Sequence, residues 1–279
     1  MSEQPISTGV RFDHPAHGEI KIIDRDAGLV EEYTPSGYRR RKVAIVGFSE
    51  ATRNLAPFDD PEWSIWGVNQ LYRHIPRASR WFEIHKKWNE HVVEGTDHAG
   101  WLAKAPIPTY MVDRVLPGDA DYAPGIPNSV KYPLERILAG PAGHPDYFTS
   151  TIAYMIALAI EEGYETIGLY GIDLIVGTEW FYQKACAEFW LGVCHGRNLA
   201  IDIPDQSALL KASWRYGYEA EPPMWPISMS KIESRLAFLK NERHKLMMQL
   251  SNIDGALQEV EFWHQVADIE VKRGARQTA

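Results

Sequence analysis

The middle of the chain alternates short apolar runs, rich in β-branched residues, with longer stretches of helical period. Residues 42–48 (KVAIVGF), 63–72 (WSIWGVNQLY) and 80–85 (RWFEIH) each contain a predicted strand. Residues 149–163 follow a helical period that ends at a glycine, and a further apolar strand is predicted at 166–170. Buried strands that alternate with helices are typical of a parallel sheet. The pattern predicts a Rossmann-like α/β fold, in which helices flank a parallel sheet.

Composition divides the chain around this sheet. Residues 1–38 are polar and lack a sustained period, which predicts an N-terminal arm. Residues 39–215 form the predicted Rossmann-like nucleotide-binding domain, and its proline-rich segment 95–148 is predicted to be a loop-rich insertion beside the sheet. A linker that contains three prolines is predicted at 216–227.

Residues 228–273 follow a different pattern, with apolar residues spaced alternately four and three apart. This heptad period is typical of a coiled-coil helix. Arg243 interrupts the apolar seam, and Gly255 is a point at which the helix could fold into an antiparallel hairpin. The register continues unchanged through Gly255, which favours pairing between chains and therefore a homo-oligomer. The apolar seam positions are Ile232, Leu236, Leu239, Leu246, Leu250, Ile253, Leu257 and Val260.

Charge, cysteines and missing motifs argue against several classes of function. A net charge of -8 over 279 residues disfavours a nucleic-acid-binding surface, which needs an excess of basic residues. The two cysteines, Cys186 and Cys194, have no neighbours at metal-binding spacing, so no metal site is predicted from them. No signal peptide and no membrane-spanning apolar run are recognisable, which predicts a cytoplasmic protein without a membrane partner. Walker, HExxH, nucleophile-elbow and dinucleotide-binding motifs are also missing.

Polar residues at the predicted strand and helix ends form a candidate nucleotide site. Asn69 and Gln70 follow the second strand, and side-chain amides can read the donor and acceptor edge of a base. Ser150 and Thr151 open a helix, whose N-terminus attracts phosphate. Asp173 follows the last of these strands and could accept from a ribose hydroxyl, ligate a magnesium ion or form a turn.

Two of these segments resemble a known family. GVNQLY at 67–72 and TSTIAYMIALAIEEGYETIGLYGIDL at 149–174 resemble bacterial sialyltransferases that use CMP-sialic acid. They are also similar to the related 6-hydroxymethylpterin diphosphokinase-like proteins and flagellin-glycosylation accessory factors. The resemblance extends over roughly residues 40–212, where it includes a Pro-x-x-Ser-x-Leu-Leu ending. It implies that a cytidine nucleotide is held by Asn69, Gln70, Ser150 and Thr151.

The resemblance also directs attention to the loop after the first strand. It implies that this loop approaches the donor phosphate, which makes Gly47 and Ser49 candidate donor-binding residues. The loop at 47–50 is Gly-Phe-Ser-Glu, whereas the family has Gly-Asn-Gly-Pro-Ser.

The general base is the second point of difference from the family. The sialyltransferases carry a catalytic histidine after their Gly-Ile-Asp strand, and the equivalent stretch here contains Glu179 and Tyr182 but no histidine. Glu179 and His85 are therefore the candidate general bases, and Tyr182 is a candidate donor to the leaving phosphate. His195, the other histidine weighed as a base, lies in a predicted helix away from the strand ends and is expected to be structural.

Three functional hypotheses follow from these residues. The first is a glycosyltransferase-like enzyme that uses a nucleotide-activated sugar, of the CMP type by resemblance, and an unknown acceptor. The second is a magnesium-dependent transferase of the diphosphokinase type, in which Asp173 would be needed. The third is a non-catalytic, nucleotide-binding assembly or accessory protein, a role to which the altered loop, the missing histidine and the long coil point.

Overall fold

The computed structural model divides the chain into two compact units, residues 1–211 and residues 212–279. The structure describes residues 11–12, 18–86, 97–116, 118, 125–140, 146–174, 178–211, 215–219 and 229–277.

The first unit is built on a parallel sheet of seven strands, in the order β11-β10-β4-β5-β7-β8-β9. The Rossmann-like α/β fold expected from the sequence is confirmed. The strands described are β1 (Arg11–Phe12), β2 (Glu19–Asp24), β3 (Leu29–Tyr33), β4 (Lys42–Val46), β5 (Trp63–Val68), β6 (Arg77–Ala78), β7 (Arg80–Glu83), β8 (Thr109–Met111), β9 (Ser129–Lys131), β10 (Thr166–Tyr170) and β11 (Ala200–Asp202).

Helices lie between these strands along the chain. In the first unit they are α1 (Glu50–Arg53), α2 (His98–Lys104), α3 (Leu134–Leu138), α4 (Thr151–Glu161) and α5 (Thr178–Gly196). Seven of the eleven residues of α4 are buried, which explains why its sequence is apolar on nearly every side. Gly163, whose φ of 74° lies in the left-handed region, follows the helix and allows the chain to turn into β10.

The strand order reverses at β4, and this reversal positions the site. From β4 the chain moves to β5, β7, β8 and β9 on one side, then returns to place β10 and β11 on the other. The loops that leave β4 and β10 therefore diverge and open a crevice at the carboxyl edge of the sheet. Ligands of doubly wound sheets bind at such a crevice.

The predicted N-terminal arm contains regular structure at residues 19–33. Strands β2 and β3 form an antiparallel hairpin, in which Ile20 pairs with Glu32 and Ile22 with Val30. Polar composition predicted exposure, but Glu32 is buried against two arginines, Arg40 at 2.9 Å and Arg80. A charged side chain is stable in the interior when it is paired in this way.

The predicted loop-rich insertion also contains regular structure. Its strands β8 and β9 extend the sheet in parallel beyond β7. Each strand is three residues long, so the prolines of the segment lie outside them. Runs as short as these have too few residues to show a strand period in the sequence.

The second unit contains α6 (Met229–Gln277), one continuous helix of 49 residues. The long C-terminal helix is therefore as predicted, and the alternative of a hairpin bent near Gly255 is not found. Pairing of this helix with another chain stays a prediction. Among the described residues, no helix is both long and apolar enough to cross a membrane.

Candidate functional site

A cavity of about 870 Å³ opens at the carboxyl edge of the sheet. It lies among the segments that follow β4, β5, β7 and β10 and the N-terminus of α4. Its lining includes most of the site residues predicted from the sequence, namely Gly47, Ser49, Asn69, His85, Ser150, Thr151 and Asp173. The sheet therefore brings together residues that are up to 126 positions apart in the sequence, from Gly47 to Asp173.

Gly47 and Gly171 hold the two diverging loops together. A Cβ atom on Gly47 would lie 2.5 Å from the carbonyl oxygen of Gly171, and a Cβ on Gly171 would lie 2.4 Å from that of Gly47. The amide of Ser49 also donates to the carbonyl of Gly171, at 2.9 Å. The glycine at position 47 is thus explained by close packing of two backbones, and the predicted approach to a phosphate is not needed to account for it.

Asp173 has partners for both of its carboxylate oxygens. Oδ2 accepts a short hydrogen bond from Ser49 Oγ, and Oδ1 accepts one from Thr52 Oγ1 at 3.1 Å. Thr52 Oγ1 in turn accepts from the amide of Gly171 at 2.8 Å. Asp173 is only 5% exposed, and its contacts tie the loop after β10 to α1. This contact between the loop and α1 was not among its three predicted roles, which stay predictions.

Asn69 is held by its backbone, while its side-chain oxygen faces the cavity without a partner among the described residues. Its φ of 52° lies in the left-handed region, which asparagine tolerates better than most residues. Its amide donates to the carbonyl of Phe82 at 3.0 Å, and Trp81 Nε1 donates to its carbonyl at 2.9 Å. Within the described part of the chain, the buried Oδ1 has no hydrogen-bond partner.

Ser150 presents a second buried polar atom of this kind. It occupies the N-cap position of α4, yet its side chain makes no capping hydrogen bond. Its buried Oγ has no partner among the residues that the structure describes. Thr151 follows it on the cavity wall, where the first amides of α4 lack carbonyl acceptors within the helix. A hydroxyl and a helix N-terminus together suit an anion.

His85 lines the cavity and is oriented by Glu83. Its Nδ1 lies 2.5 Å from Glu83 Oε1, and Oε2 of the same carboxylate lies 3.0 Å from Nε2 of His98. Burial alone would raise the pKa of Glu83, but the hydrogen bonds to His85 and His98 lower it below its ordinary value. A carboxylate that stays ionised fixes the orientation of the imidazole and stabilises its protonated form.

Two predicted residues, Gln70 and Tyr182, lie elsewhere. Gln70 is buried beside the 3₁₀ turn Leu71–Arg73 and is not among the lining residues of the cavity. The side chain of Tyr182 is 64% exposed, and it is the backbone carbonyl of this residue that accepts from Thr149 Oγ1, at 3.0 Å. The side chain of Glu179 falls outside the described residues, so its predicted role as a base stays a prediction.

The cavity offers little fixed positive charge. Among the described residues that line it there is no lysine or arginine. Positive potential comes from the N-terminus of α4 and from His85 when it is protonated. Arg53 lies close by, but its Nη1 donates to the carbonyl of Phe48 at 2.8 Å. No group of three or more metal-ligating side chains is found in the part of the chain that the structure describes.

Sequence reasoning gave no role to Glu83, His98 or Thr52. For Glu83 a signal did exist, because residues two apart on a strand point to the same face, as Glu83 and His85 do. For His98 and Thr52 no sequence signal existed, since both come from helices whose contacts with the site depend on the fold.

Comparisons with known proteins gave structural matches only. No protein-family model and no curated protein matches the sequence. The sialyltransferase CstII from Campylobacter jejuni, in complex with the substrate analogue CMP-3FNeuAc, is 16% identical with a TM-score of 0.37. The match covers 58% of this chain and 80% of that one. An apo α-2,3-sialyltransferase from the same organism is 18% identical with a TM-score of 0.38, covering 60% of this chain and 76% of that one.

A third match is CstII in complex with cytidine-5'-monophosphate, 18% identical with a TM-score of 0.37. It covers 58% of this chain and 79% of that chain. The resemblance to bacterial sialyltransferases noted in the sequence is thus also present in the structure, at low identity and over part of the chain. What the cavity can bind has to be decided from its own residues.

Proposed function

We propose that the cavity binds a nucleotide-activated sugar of the cytidine monophosphate type and that the protein is a glycosyltransferase-like enzyme. The observation that carries the proposal is a pair of buried polar atoms, Asn69 Oδ1 and Ser150 Oγ, without partners in the described part of the chain. Both residues line the same cavity. A buried polar atom without a partner costs free energy, so two at one cavity indicate that a polar ligand completes them.

Asn69 supports the choice of base. Its Oδ1 is an acceptor, and the exocyclic amino group of cytosine is a donor. Uracil carries a carbonyl oxygen at the same ring position. This oxygen and Oδ1 are both acceptors, so they would face each other without a proton to share. In the orientation that the structure shows, with Oδ1 as the buried end, the amide of Asn69 therefore favours cytosine; uracil would require the amide to rotate so that Nδ2 takes this place.

The N-terminus of α4 supports the choice of phosphate. Ser150 and Thr151 can donate to phosphate oxygens, together with the first amides of the helix. Because no lysine or arginine is among the described lining residues, this arrangement suits a single phosphodiester charge better than a diphosphate or triphosphate. A CMP-linked sugar carries one phosphodiester between nucleoside and sugar.

His85 supports a catalytic role for the site. In the proposed transfer, the acceptor hydroxyl oxygen bonds to the anomeric carbon, and the bond between that carbon and the phosphate oxygen breaks. The hydroxyl proton passes to His85, and CMP leaves with the electron pair of the broken bond. With Nδ1 engaged by Glu83, proton transfer falls to Nε2. A positioned general base of this kind accelerates a reaction by roughly 100- to 10,000-fold.

Turnover of a CMP-sugar by pure full-length protein tests the proposal, with release of CMP followed by chromatography. His85→Asn should lower kcat by about 100-fold or more while CMP affinity changes little. Glu83→Gln should lower kcat less and move the acid limb of the pH–rate profile to lower pH, since a neutral amide stabilises the imidazolium less than a carboxylate does. His195→Asn, at an exposed position in the last turn of α5, is the matched control. Full activity of His85→Asn would contradict the role of His85.

The two alternatives fare differently. Magnesium-dependent diphosphate transfer is not favoured, because both oxygens of Asp173 are engaged by Ser49 and Thr52. A non-catalytic assembly role is favoured by one observation, the exposed apolar seam of α6. That role predicts CMP binding without consumption of any CMP-sugar, which the turnover experiment separates from the main proposal.

A further inference from the structure

The C-terminal helix α6 carries an apolar seam that is exposed in the single chain. Leu246 is 62% exposed and Val260 is 66% exposed, and the other described seam positions are exposed as well. The helix is 49 residues long, or ~70 Å, and its seam from Ile232 to Val260 extends over ~42 Å. A long helix gains most of its stability from burying such a face. A partner with a matching seam would bury this face.

We propose that the partner is a second copy of this chain and that the two α6 helices pair antiparallel. The orientation is inferred from the distribution of charge along the helix. Residues 229–245 contain five basic and two acidic side chains, a net charge of +3, whereas residues 246–277 contain five acidic and three basic ones, a net charge of -2. The three basic residues, Lys272, Arg273 and Arg276, lie in the last two turns of the helix. In an antiparallel pair the basic half of each helix lies against the acidic half of the other. In a parallel pair like charges lie together.

Arg243 gives a second, independent reason for this orientation. Its position in the four-three alternation is an a position of the heptad, inside the seam. A parallel pair in register would bring the two Arg243 side chains together across the axis, and like charges in a seam repel. In an antiparallel pair, a positions face d positions, so each arginine faces an apolar residue instead.

One register both brings opposite charges together and keeps the two Arg243 side chains apart. When Leu250 of one helix lies opposite Ile253 of the other, Arg243 lies opposite Val260, and Glu261 of the partner subunit flanks that position. Lys240 and Glu261 of the partner subunit then occupy facing e positions and form an opposite-charge pair. The e and g positions of coiled coils select partner and orientation through pairs of this type.

Distances between spin labels distinguish the orientations in the full-length protein. Asn241 and Phe262 both occupy outward f positions and are exposed, so Asn241→Cys and Phe262→Cys can be labelled without disturbing the seam. In the antiparallel pair, two labels at position 241 are offset along the axis by ~32 Å, whereas labels at 241 and 262 of different copies lie at the same height. The parent chain, whose Cys186 and Cys194 are buried, is the labelling control.

The expected result is a shorter distance in the mixed sample of the two variants than between two labels at position 241. The reverse order would show a parallel pair and overturn the proposal. Absence of any intermolecular distance at micromolar concentration, with a monomer by light scattering, would overturn it as well. Salt gives an independent check, because screening should weaken association between opposite charges and strengthen association between like charges. Tighter association at high salt would contradict the antiparallel arrangement.

Discussion

The two edges of the parallel sheet differ in what surrounds their buried polar groups. At the amino edge, Glu32 pairs with Arg40 and Arg80 and accepts a hydrogen bond from Ser64 Oγ at 2.7 Å. Arg80 also pairs with Glu162 at 2.8 Å. We call Glu32, Arg40, Ser64, Arg80 and Glu162 the amino-edge cluster. At the carboxyl edge, the cavity leaves Asn69 Oδ1 and Ser150 Oγ without partners in the described residues.

The difference separates groups that stabilise the fold from groups that are available to a ligand. Burial alone would raise the pKa of Glu32, but Arg80 and Arg40 lower it to about 2, so the carboxylate is stable as an anion inside the protein. The charges of the amino-edge cluster are therefore balanced within the protein itself. At the carboxyl edge, buried polar atoms without partners among the described residues cost the folded protein free energy. A ligand that forms hydrogen bonds to these atoms would recover that free energy.

The largest expected effect comes from breaking the amino-edge cluster. Glu32→Gln leaves two buried arginines without their shared carboxylate and should lower the free energy of unfolding by about 3–5 kcal/mol. For a unit of this size, the Tm should fall by about 10 °C. Chemical denaturation and calorimetry measure both quantities. Glu165→Gln, which removes an exposed ion pair with Arg41, is the control and should cost less than about 1 kcal/mol. If both substitutions lowered the free energy of unfolding equally, the buried amino-edge cluster would stabilise the fold no more than an exposed ion pair does.

The same substitution should change the response to acid. Because the pKa of Glu32 is depressed, its contribution is complete above its unfolded pKa near 4.5 and is lost as the pH falls towards about 2. Burial raises the pKa of Glu162, so this group has the opposite effect: the protein gains stability as Glu162 is protonated. The wild type should therefore lose more stability than Glu32→Gln between pH 4.5 and 2, and an unchanged acid response would contradict the pairing.

A substitution at the carboxyl edge should have a smaller effect on the free energy of unfolding, and one of the opposite sign. Ser150→Ala removes a buried hydroxyl that caps no amide, so the free energy of unfolding should stay the same or rise slightly. Its affinity for CMP should fall by about 10-fold, since a hydrogen bond to a charged phosphate is lost. Isothermal titration measures the affinity, and Ser251→Ala in α6 is the control. A loss of about 1 kcal/mol of stability at unchanged affinity would make Ser150 an ordinary N-cap.

The comparison also explains which parts of the molecule could be predicted from the sequence. Parallel strands end at one edge, so the residues after each apolar run, such as Asn69, His85 and Asp173, were expected to meet there. The heptad period predicted the long helix in the same way, from one repeated spacing. Both inferences need only local patterns and the geometry of the element.

What could not be predicted depends on partners that are distant in the chain. Asp173 was a candidate ligand-binding residue by position, but Thr52 and Ser49, more than 120 positions away, occupy its oxygens. Glu32 lies in a polar segment that composition marked as exposed, and its burial depends on arginines from two other segments. No local period records such pairings, because they form only when the whole sheet is assembled.

Titration of CMP and UMP into the wild type and into Asn69→Gly is the most direct test of the central claim, that the unpaired groups at the carboxyl edge are a cytidine nucleotide site. Glycine keeps the positive φ of position 69 while removing its side chain. The wild type should bind CMP at least about 10-fold more tightly than UMP, and Asn69→Gly should bind both weakly with little discrimination. Absence of CMP binding, or equal affinity of the wild type for the two nucleotides, would contradict the account.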